Sequence, residues 1–133
     1  MIVVDASIVV RLLLNREQDA PLRERISRKD TLHAPALIDA EVASAVRGLL
    51  RANPAVGMSL ERAEEMLRDF SGLPIARYPM LPFLRDALSL RENFTVYDAL
   101  YLVLARALDG QLLTADTKFA KALTSSTRIE TWA

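Results

Sequence analysis

The chain has 133 residues, a length that suits one domain, because a second domain would lack a hydrophobic core of its own. Hydrophobic residues make up 51% and charged residues 26% of the sequence, which excludes disorder as an overall description. The 17 basic and 17 acidic residues balance, so no net positive charge indicates a nucleic-acid partner. The sequence has no cysteine, which excludes disulfides and thiolate metal sites and is compatible with the cytoplasmic location that we expect.

Neither a signal peptide nor a membrane span is expected. The apolar N-terminal segment is interrupted by Asp5 and Arg11, and no basic leader precedes it. The longest stretch without a charged residue, residues 52–60, falls far short of the roughly 18 apolar residues that a spanning helix needs.

Predicted strands and helices alternate along the first half of the chain. Residues 2–4 are a β-branched run, and a helical pattern follows through Leu14. A polar helix is predicted over residues 20–29 and a strand over residues 31–34. The next helix, residues 36–51, is expected to have Pro35 in its first turn, and a further helix should run from its N-cap, Ser59, to Phe70.

The second half continues the alternation, and together the elements predict the fold class. We predict strands over residues 73–78, 111–114 and 128–131, and helices over residues 81–91, 96–108 and 117–123. Parallel strands need crossover connections, which are nearly always right-handed. The sequence therefore predicts an α/β protein, a three-layer α/β/α sandwich with a mostly parallel five-stranded sheet, as a single domain over residues 1–133.

Asp5 follows the first predicted strand, at the sheet edge where ligands bind in such folds. An alternative role is as N-cap of the next helix, which is worth about 1 kcal/mol. Ser7, two residues on, could hydrogen-bond a cap or a metal ligand. Both interpretations of Asp5 remain open from the sequence.

Glu41 lies at the margin of the apolar stripe of its predicted helix. Its neighbours one turn away include no basic residue, so no local ion pair explains the carboxylate. A carboxylate in this position costs desolvation energy unless something compensates it. An ordinary surface acid is the alternative interpretation.

Asp98 gives the sharpest signal, because it precedes a helix that is apolar nearly all round. Thr95 and Asp98 also have capping-box spacing, and a cap and a metal ligand are compatible roles for one residue. Asp116 follows the predicted strand 111–114 and is likewise either a candidate N-cap or a site residue.

The predicted topology brings these four acids to one edge of the sheet. Mutual repulsion there should raise their pKa values unless a cation lies among them, and hard oxygen ligands suit Mg²⁺ or Mn²⁺. Such a site can polarise a phosphodiester and activate water, with no side-chain nucleophile. The only histidine, His33, is interpreted as structural. Basic candidates for phosphate contacts, each also explained by a solvated helix face, are Arg11, Arg16, Lys118 and Lys121.

Four segments of the chain resemble the PIN domain family, and within it the toxin ribonucleases of VapC-type toxin–antitoxin pairs. They are VVDASIVVRLLL, PALIDAEVASAV, TVYDALYLVLA and LLTADTKF. The resemblance implies that Asp5, Glu41, Asp98 and Asp116 are catalytic metal ligands, supported by Ser7 and Thr114. It also implies the sheet order 3-2-1-4-5, one or two Mg²⁺ or Mn²⁺ ions, an RNA substrate, a homodimer and an antitoxin partner. The expected function is that of a metal-dependent endoribonuclease toxin.

Two other functions are compatible with an α/β domain. A magnesium-dependent phosphoryl-accepting domain would want a second acid beside the first or two positions after it, where this chain has Val4 and Ser7. A non-catalytic interaction module would keep the fold and tolerate the loss of any one acid.

Overall fold

One parallel sheet organises the molecule. A computed structural model describes residues 1–26, 29–52, 57–121 and 127–133, apart from the side chains of residues 120 and 121. The strands within these ranges are β1 (Ile2–Val4), β2 (Leu32–Pro35), β3 (Ile75–Tyr78), β4 (Gln111–Thr114) and β5 (Arg128–Thr131). Their order is β3-β2-β1-β4-β5, and every neighbouring pair is parallel. The predicted sheet order is confirmed.

Helices cover both faces of the sheet. The α-helices of the described ranges are α1 (Ala6–Leu14), α2 (Ala20–Arg25), α3 (Ile38–Arg51), α4 (Leu60–Ser71), α5 (Leu84–Ser89) and α6 (Val96–Ala107). Right-handed crossovers that step from β1 to β3 place α1 to α4 on one face, and the return step to β4 places α5 and α6 on the other. Consistent with this, α1 contacts α3 and α4, whereas α6 contacts β1, β2 and β4. The three-layer α/β/α prediction is confirmed.

The core lies on both sides of β1. All three residues of β1 are buried, and so are all residues of α6 from Ala99 to Ala105, as expected for a helix that is apolar all round. In the described ranges, no helix combines the length and apolar character needed to cross a bilayer.

Pro35 lies in a strand and not in the first turn of a helix, which corrects the sequence-based prediction. It is the last residue of β2 and is paired with Tyr78 of β3. The pairing of β1 with β2 covers only Leu32 and His33, so Pro35 lies beyond the neighbouring strand on that side. Its missing N–H therefore leaves no hydrogen bond of the ladder unmade.

Several element ends also differ from the predictions. The helix α2 ends at Arg25, because Ile26 takes an extended ψ of 93°. The predicted helix 81–91 begins as a 3₁₀ turn containing Pro82 and ends at Ser89, whose hydroxyl donates to the Asp86 carbonyl. The predicted helix 117–123 is a 3₁₀ turn over Thr117–Lys121, and its last two predicted residues lie outside the described ranges.

Candidate functional site

Asp5 lies at the carboxyl end of the central strand, where its carboxylate is buried and fully engaged. The Ser7 hydroxyl donates to Oδ1 at 2.5 Å and the Ile8 N–H donates to the same oxygen at 3.2 Å. The Thr114 hydroxyl, which has no exposed surface, donates to Oδ2. Asp5 is thus the N-cap of α1 and also a rigidly held oxygen donor at the sheet edge.

The two hydroxyl groups connect the end of β1 to the end of β4. Ser7 Oγ accepts a hydrogen bond from the Ala115 N–H at 2.9 Å. Thr114 Oγ1 accepts one from the Asp116 N–H at 3.0 Å. Because each hydroxyl both donates to Asp5 and accepts from the β4 side, the supporting residues predicted from the sequence lie between Asp5 and Asp116.

Glu41, on α3, reaches the same edge from the neighbouring crossover. Its Oε1 accepts a hydrogen bond from the Tyr101 hydroxyl at 2.5 Å, and Tyr101 is 2% exposed on α6. Burial raises the pKa of Glu41, and the charges of Asp98 and Asp5 add to the increase, while the Tyr101 hydrogen bond and Lys118 oppose it. Glu41 is therefore not an ordinary surface acid.

Asp98 and Asp116 share one cation. The Nζ atom of Lys118 lies 2.6 Å from Asp98 Oδ2 and 3.2 Å from Asp116 Oδ2. The hydrogen bond to Asp98 is the main reason why the pKa of Lys118 is raised. Thr95 Oγ1 accepts a hydrogen bond from the Asp98 N–H at 3.2 Å. This helix cap also holds the backbone of Asp98 in place.

A cavity of about 260 Å³ brings the four acids together. Its lining residues are Asp5, Ala6, Ser7, Glu41, Asp98, Tyr101, Asp116, Lys118 and Phe119. Among the residues that the structure describes, no three acidic or histidine side chains converge closely enough to hold a metal ion in their present arrangement. The acids lie on four different elements or at their ends, so it is the order of strands and helices in the fold that brings them to one cavity.

Burial, more than mutual repulsion, raises the pKa values of Asp5 and Glu41, which corrects the expectation from the sequence for these two acids. The pKa of Asp5 is raised mainly by desolvation, whereas the charge of Asp116 is the smallest contributor. Hydrogen bonds from Ser7, Thr114 and Ile8 oppose the increase. Burial therefore disfavours the ionised form of Asp5, which a nearby positive charge would favour.

The donor chemistry of the cavity fits a hard divalent cation. Its polar lining offers carboxylate and hydroxyl oxygens and contains neither sulfur nor imidazole. An ammonium group already lies between two of the carboxylates, which shows that this part of the cavity attracts positive charge. The cavity lining carries four carboxylates and one ammonium.

Two polar residues of the cavity lining were not assigned to the site from the sequence. Tyr101 lies three residues after Asp98, one helical turn away, and this spacing is the signal by which it could have been found. Lys118 was considered for phosphate contacts and not for the carboxylates that it contacts.

The other basic candidates lie elsewhere or pair differently. Arg11 and Arg16 form ion pairs with the buried Asp19, at 2.7 and 3.0 Å, so they are not on simple solvated faces. The side chain of Lys121 lies outside the described part of the chain. His33 is buried and has its two ring nitrogens 2.7 Å from the hydroxyls of Thr31 and Tyr78, in keeping with a structural role.

Sequence comparison identifies relatives over nearly the whole chain. The profile of the PIN domain matches residues 2–123. Ribonuclease VapC12 of Mycobacterium tuberculosis is 37% identical over 133 residues, which cover 98% of each chain. Ribonuclease VapC1 of the same organism is 40% identical over 121 residues, which cover 90% of this chain and 89% of that protein.

Solved structures share the fold at lower identity. The crystal structure of VapBC2 from Rickettsia felis, bound to a DNA fragment from their promoter, matches with a TM-score of 0.69, 20% identity and full coverage of both chains. That of VapC20 from Mycobacterium tuberculosis, a sarcin-ricin loop cleaving toxin, matches with a TM-score of 0.65 and 14% identity, over 96% of this chain and 99% of that one. From the family profile and the full-length relatives, we conclude that the chain belongs to the PIN domain family.

Proposed function

We propose that this protein is a metal-dependent endoribonuclease, the toxin of a toxin–antitoxin pair, and that the acidic cavity is its active site. The observation that carries the proposal is the cavity itself, which Asp5, Glu41, Asp98 and Asp116 line together and in which a lysine ammonium pairs with Asp98 and Asp116. Two relatives that carry the name ribonuclease support RNA as the substrate. Structural neighbours described as toxin–antitoxin complexes support the toxin role.

The four acids would hold Mg²⁺ or Mn²⁺ through their oxygens. A divalent cation held by these oxygens would supply Lewis acidity, which would polarise the phosphodiester and favour ionisation of the attacking water. Asp5 is the most rigid of the donors, since three hydrogen bonds fix both of its oxygens. Glu41 is oriented by the hydrogen bond that it accepts from the Tyr101 hydroxyl. The chain thus supplies oxygen donors whose positions are set before the substrate arrives.

The reaction is hydrolysis and leaves no group on the protein. Water adds to phosphorus, the bond to the leaving ribose oxygen breaks, and that oxygen takes up a proton. Ser7 is unsuited to act as a nucleophile, because its hydroxyl already donates to Asp5 and accepts from the Ala115 N–H. Both oxygens of Asp5 are similarly engaged, which disfavours the alternative of a phosphoryl-accepting aspartate.

The proposal includes the partners and organisation that the family resemblance implies. We propose an antitoxin that covers the active site, a homodimer, and one PIN-like domain over residues 1–133. A cytoplasmic location stays a prediction from the cysteine-free sequence.

The decisive test replaces Asp98 with asparagine, which keeps the shape of the side chain and removes its charge. We expect Asp98→Asn to lose Mn²⁺-dependent cleavage of single-stranded and structured RNA by at least about 100-fold, because a charged donor is removed from the reaction centre. The measurement is the rate of appearance of RNA fragments in gels, with Mn²⁺ and with EDTA.

Asp86→Asn is the matched control. Asp86 is exposed in the first turn of α5, as Asp98 lies in the first turn of α6, so the same substitution is made in the same local setting away from the cavity. Circular dichroism should show that both variants are folded. Cleavage by Asp98→Asn at the rate of Asp86→Asn contradicts the proposed active site and favours a non-catalytic interaction module.

A further inference from the structure

Lys118 is folded back onto the acidic cavity by the turn in which it lies. Its backbone N–H donates to Asp116 Oδ1 at 3.0 Å, within the 3₁₀ turn that follows β4. From there its side chain crosses to the N-terminus of α6, where Nζ meets Asp98. One residue therefore links the end of β4 to the start of α6 through its main chain and its ammonium.

The ammonium of Lys118 is close enough to both Asp98 and Asp116 to screen the two carboxylates at once. It lies within 3.2 Å of an oxygen of Asp98 and of an oxygen of Asp116. Two carboxylates that face one cavity repel each other, and a cation between them replaces this repulsion by two attractions. With the lysine side chain 52% exposed, solvent screens each attraction and keeps the pairing modest and reversible.

The same oxygens cannot serve the lysine and a metal ion together. An ammonium group has three donors and no acceptor, and it would lie within a few ångströms of a divalent cation bound to those oxygens. Like charges at such distances repel strongly. The flexible four-carbon stem and the half-exposed side chain give the ammonium a route into solvent.

We propose that Lys118 is a tethered counter-ion of the active site, whose ammonium pairs with Asp98 and Asp116 in the metal-free protein and is displaced when a divalent cation binds. The inference rests on the proposed metal-dependent function. It gives Lys118 a defined role as the competitor that sets how tightly the metal is held.

Removing the charge of Lys118 should strengthen metal binding. We expect Lys118→Met to bind Mn²⁺ about tenfold more tightly than the wild type in calorimetric titrations, because the metal no longer competes with an ammonium. In EDTA the same variant should melt at a lower temperature, since the repulsion between Asp98 and Asp116 is uncompensated. Lys118→Arg keeps the charge and should restore both values towards those of the wild type.

Lys29→Met is the matched control. Lys29 precedes β2 and so lies near the amino ends of the strands, whereas the cavity lies at their carboxyl ends. The substitution Lys29→Met therefore removes the same charge away from the site. Its Mn²⁺ affinity should equal that of the wild type. A gain as large as that of Lys118→Met would assign the effect to net charge and overturn the role of Lys118.

Displacement can also be observed without any catalysis. The chain has three lysines, so a ¹H–¹³C spectrum of the lysine Cε groups has few signals, and the one missing in Lys118→Met belongs to Lys118. During a titration with diamagnetic Mg²⁺, this signal should shift with the midpoint of metal binding, while the signal of Lys29 stays in place.

The outcomes separate this inference from the proposed function. If the wild type binds Mn²⁺, Asp98→Asn does not, and neither the affinity of Lys118→Met nor the Lys118 signal changes, the counter-ion role is wrong and the metal site stands. If the wild type itself shows no binding of Mn²⁺ by calorimetry, the metal site fails and the counter-ion role fails with it.

Discussion

Tyr101 positions Glu41 from inside the core. It is almost completely buried on α6, and its hydroxyl donates to Glu41 Oε1 at 2.5 Å. Burial, and next the hydrogen bond to Glu41, raise the pKa of Tyr101, so the phenol stays protonated and keeps its proton for the carboxylate. Of the groups that lower the pKa of Glu41, the Tyr101 hydroxyl is the most effective. We regard Tyr101 as a positioning residue of the proposed metal centre.

Tyr101→Phe should therefore weaken metal binding while the fold survives. A hydrogen bond to a charged group is worth about 1.5–3 kcal/mol, which corresponds to a loss in Mn²⁺ affinity on the order of 10- to 100-fold if the bond persists in the metal complex. Tyr97→Phe, which removes an exposed hydroxyl four residues away, is the control. Equal affinities of the two variants in calorimetric titrations would contradict the positioning role.

Single residues also show why sequence patterns left the roles of the acids open. Asp5 accepts the Ile8 N–H as an ordinary N-cap and lines the cavity at the same time. The Thr95 hydroxyl accepts from the Asp98 N–H while the Asp98 carboxylate faces Lys118. Each of these acids thus takes part in a helix cap and also lines the cavity, so local spacing could not choose between the two interpretations. The shared cavity is visible only in three dimensions.

At the level of secondary-structure elements, the junction of α6 with β4 leaves little room for a side chain at Gly110. A Cβ atom there would lie 3.0 Å from the carbonyl oxygen of Met1, which belongs to the neighbouring chain segment at the start of β1. That carbonyl accepts a hydrogen bond from the Gln111 N–H at 3.2 Å. Glycine thus permits the close pairing of the two central strands.

A pair of glycine substitutions tests this contact. Gly110→Ala should lower the free energy of unfolding by about 1–2 kcal/mol, because a backbone atom must shift to admit the methyl group. Gly48→Ala, on an exposed turn of α3 with no atom within 4 Å of the added Cβ, should raise it by about 0.5–1 kcal/mol. Urea unfolding measures both. A neutral or positive effect of Gly110→Ala would contradict the close approach.

Elements that depend on local interactions were predicted more accurately than features that depend on contacts between distant segments. The strands β1, β4 and β5 have their predicted bounds, since their apolar or β-branched runs are local features. The prediction for Pro35 was wrong, because its place in β2 depends on how far the neighbouring β1 extends along it. Register between distant segments is not encoded in the residues around a proline.

At the scale of the whole molecule, Arg11 links the first helix to the buried Asp19 and to the C-terminal segment. Arg11 and Arg16 both pair with the carboxylate of Asp19, and Arg11 also donates to the carbonyl of Trp132. Burial by itself would raise the pKa of Asp19, but the hydrogen bonds and charges of the two arginines outweigh it and hold the pKa below its ordinary value. The ionised form is therefore the one that stabilises the fold.

The sign of this shift predicts how stability depends on pH. A carboxyl group with a lowered pKa in the folded state contributes its full stabilisation above the unfolded pKa and loses it as the pH falls through the folded pKa, here from about pH 4 downwards. Asp19→Asn should be less stable near neutral pH by about 2 kcal/mol. Its difference from the wild type should shrink in acid.

The measurement is urea unfolding at a series of pH values, followed by the fluorescence of Trp132, the single tryptophan of the chain. Asp86→Asn, at an exposed helix position, should stay parallel to the wild type at every pH. A difference between Asp19→Asn and the wild type that is constant down to about pH 2 would contradict the assignment of the lowered pKa.

The global architecture was more predictable than the contacts inside the cavity. Alternation of strands and helices predicted the layers, and the family resemblance supplied the strand order, which the structure has. By contrast, Lys118 meets Asp98 across 20 positions of sequence and Tyr101 meets Glu41 across 60. Such pairs depend on how α6 packs relative to α3 and to the turn after β4. The periodicity within a single segment does not predict that packing.

The strand order has a consequence for biosynthesis. The central strand is the first to leave the ribosome, but one of its two neighbours, β4, and the acid that follows it come from near the end of the chain. A nascent polypeptide therefore holds Asp5 and Glu41 long before Asp98 and Asp116 exist. If the protein cuts RNA as proposed, it stays harmless to the machinery that makes it until β4 and Asp116 have been synthesised.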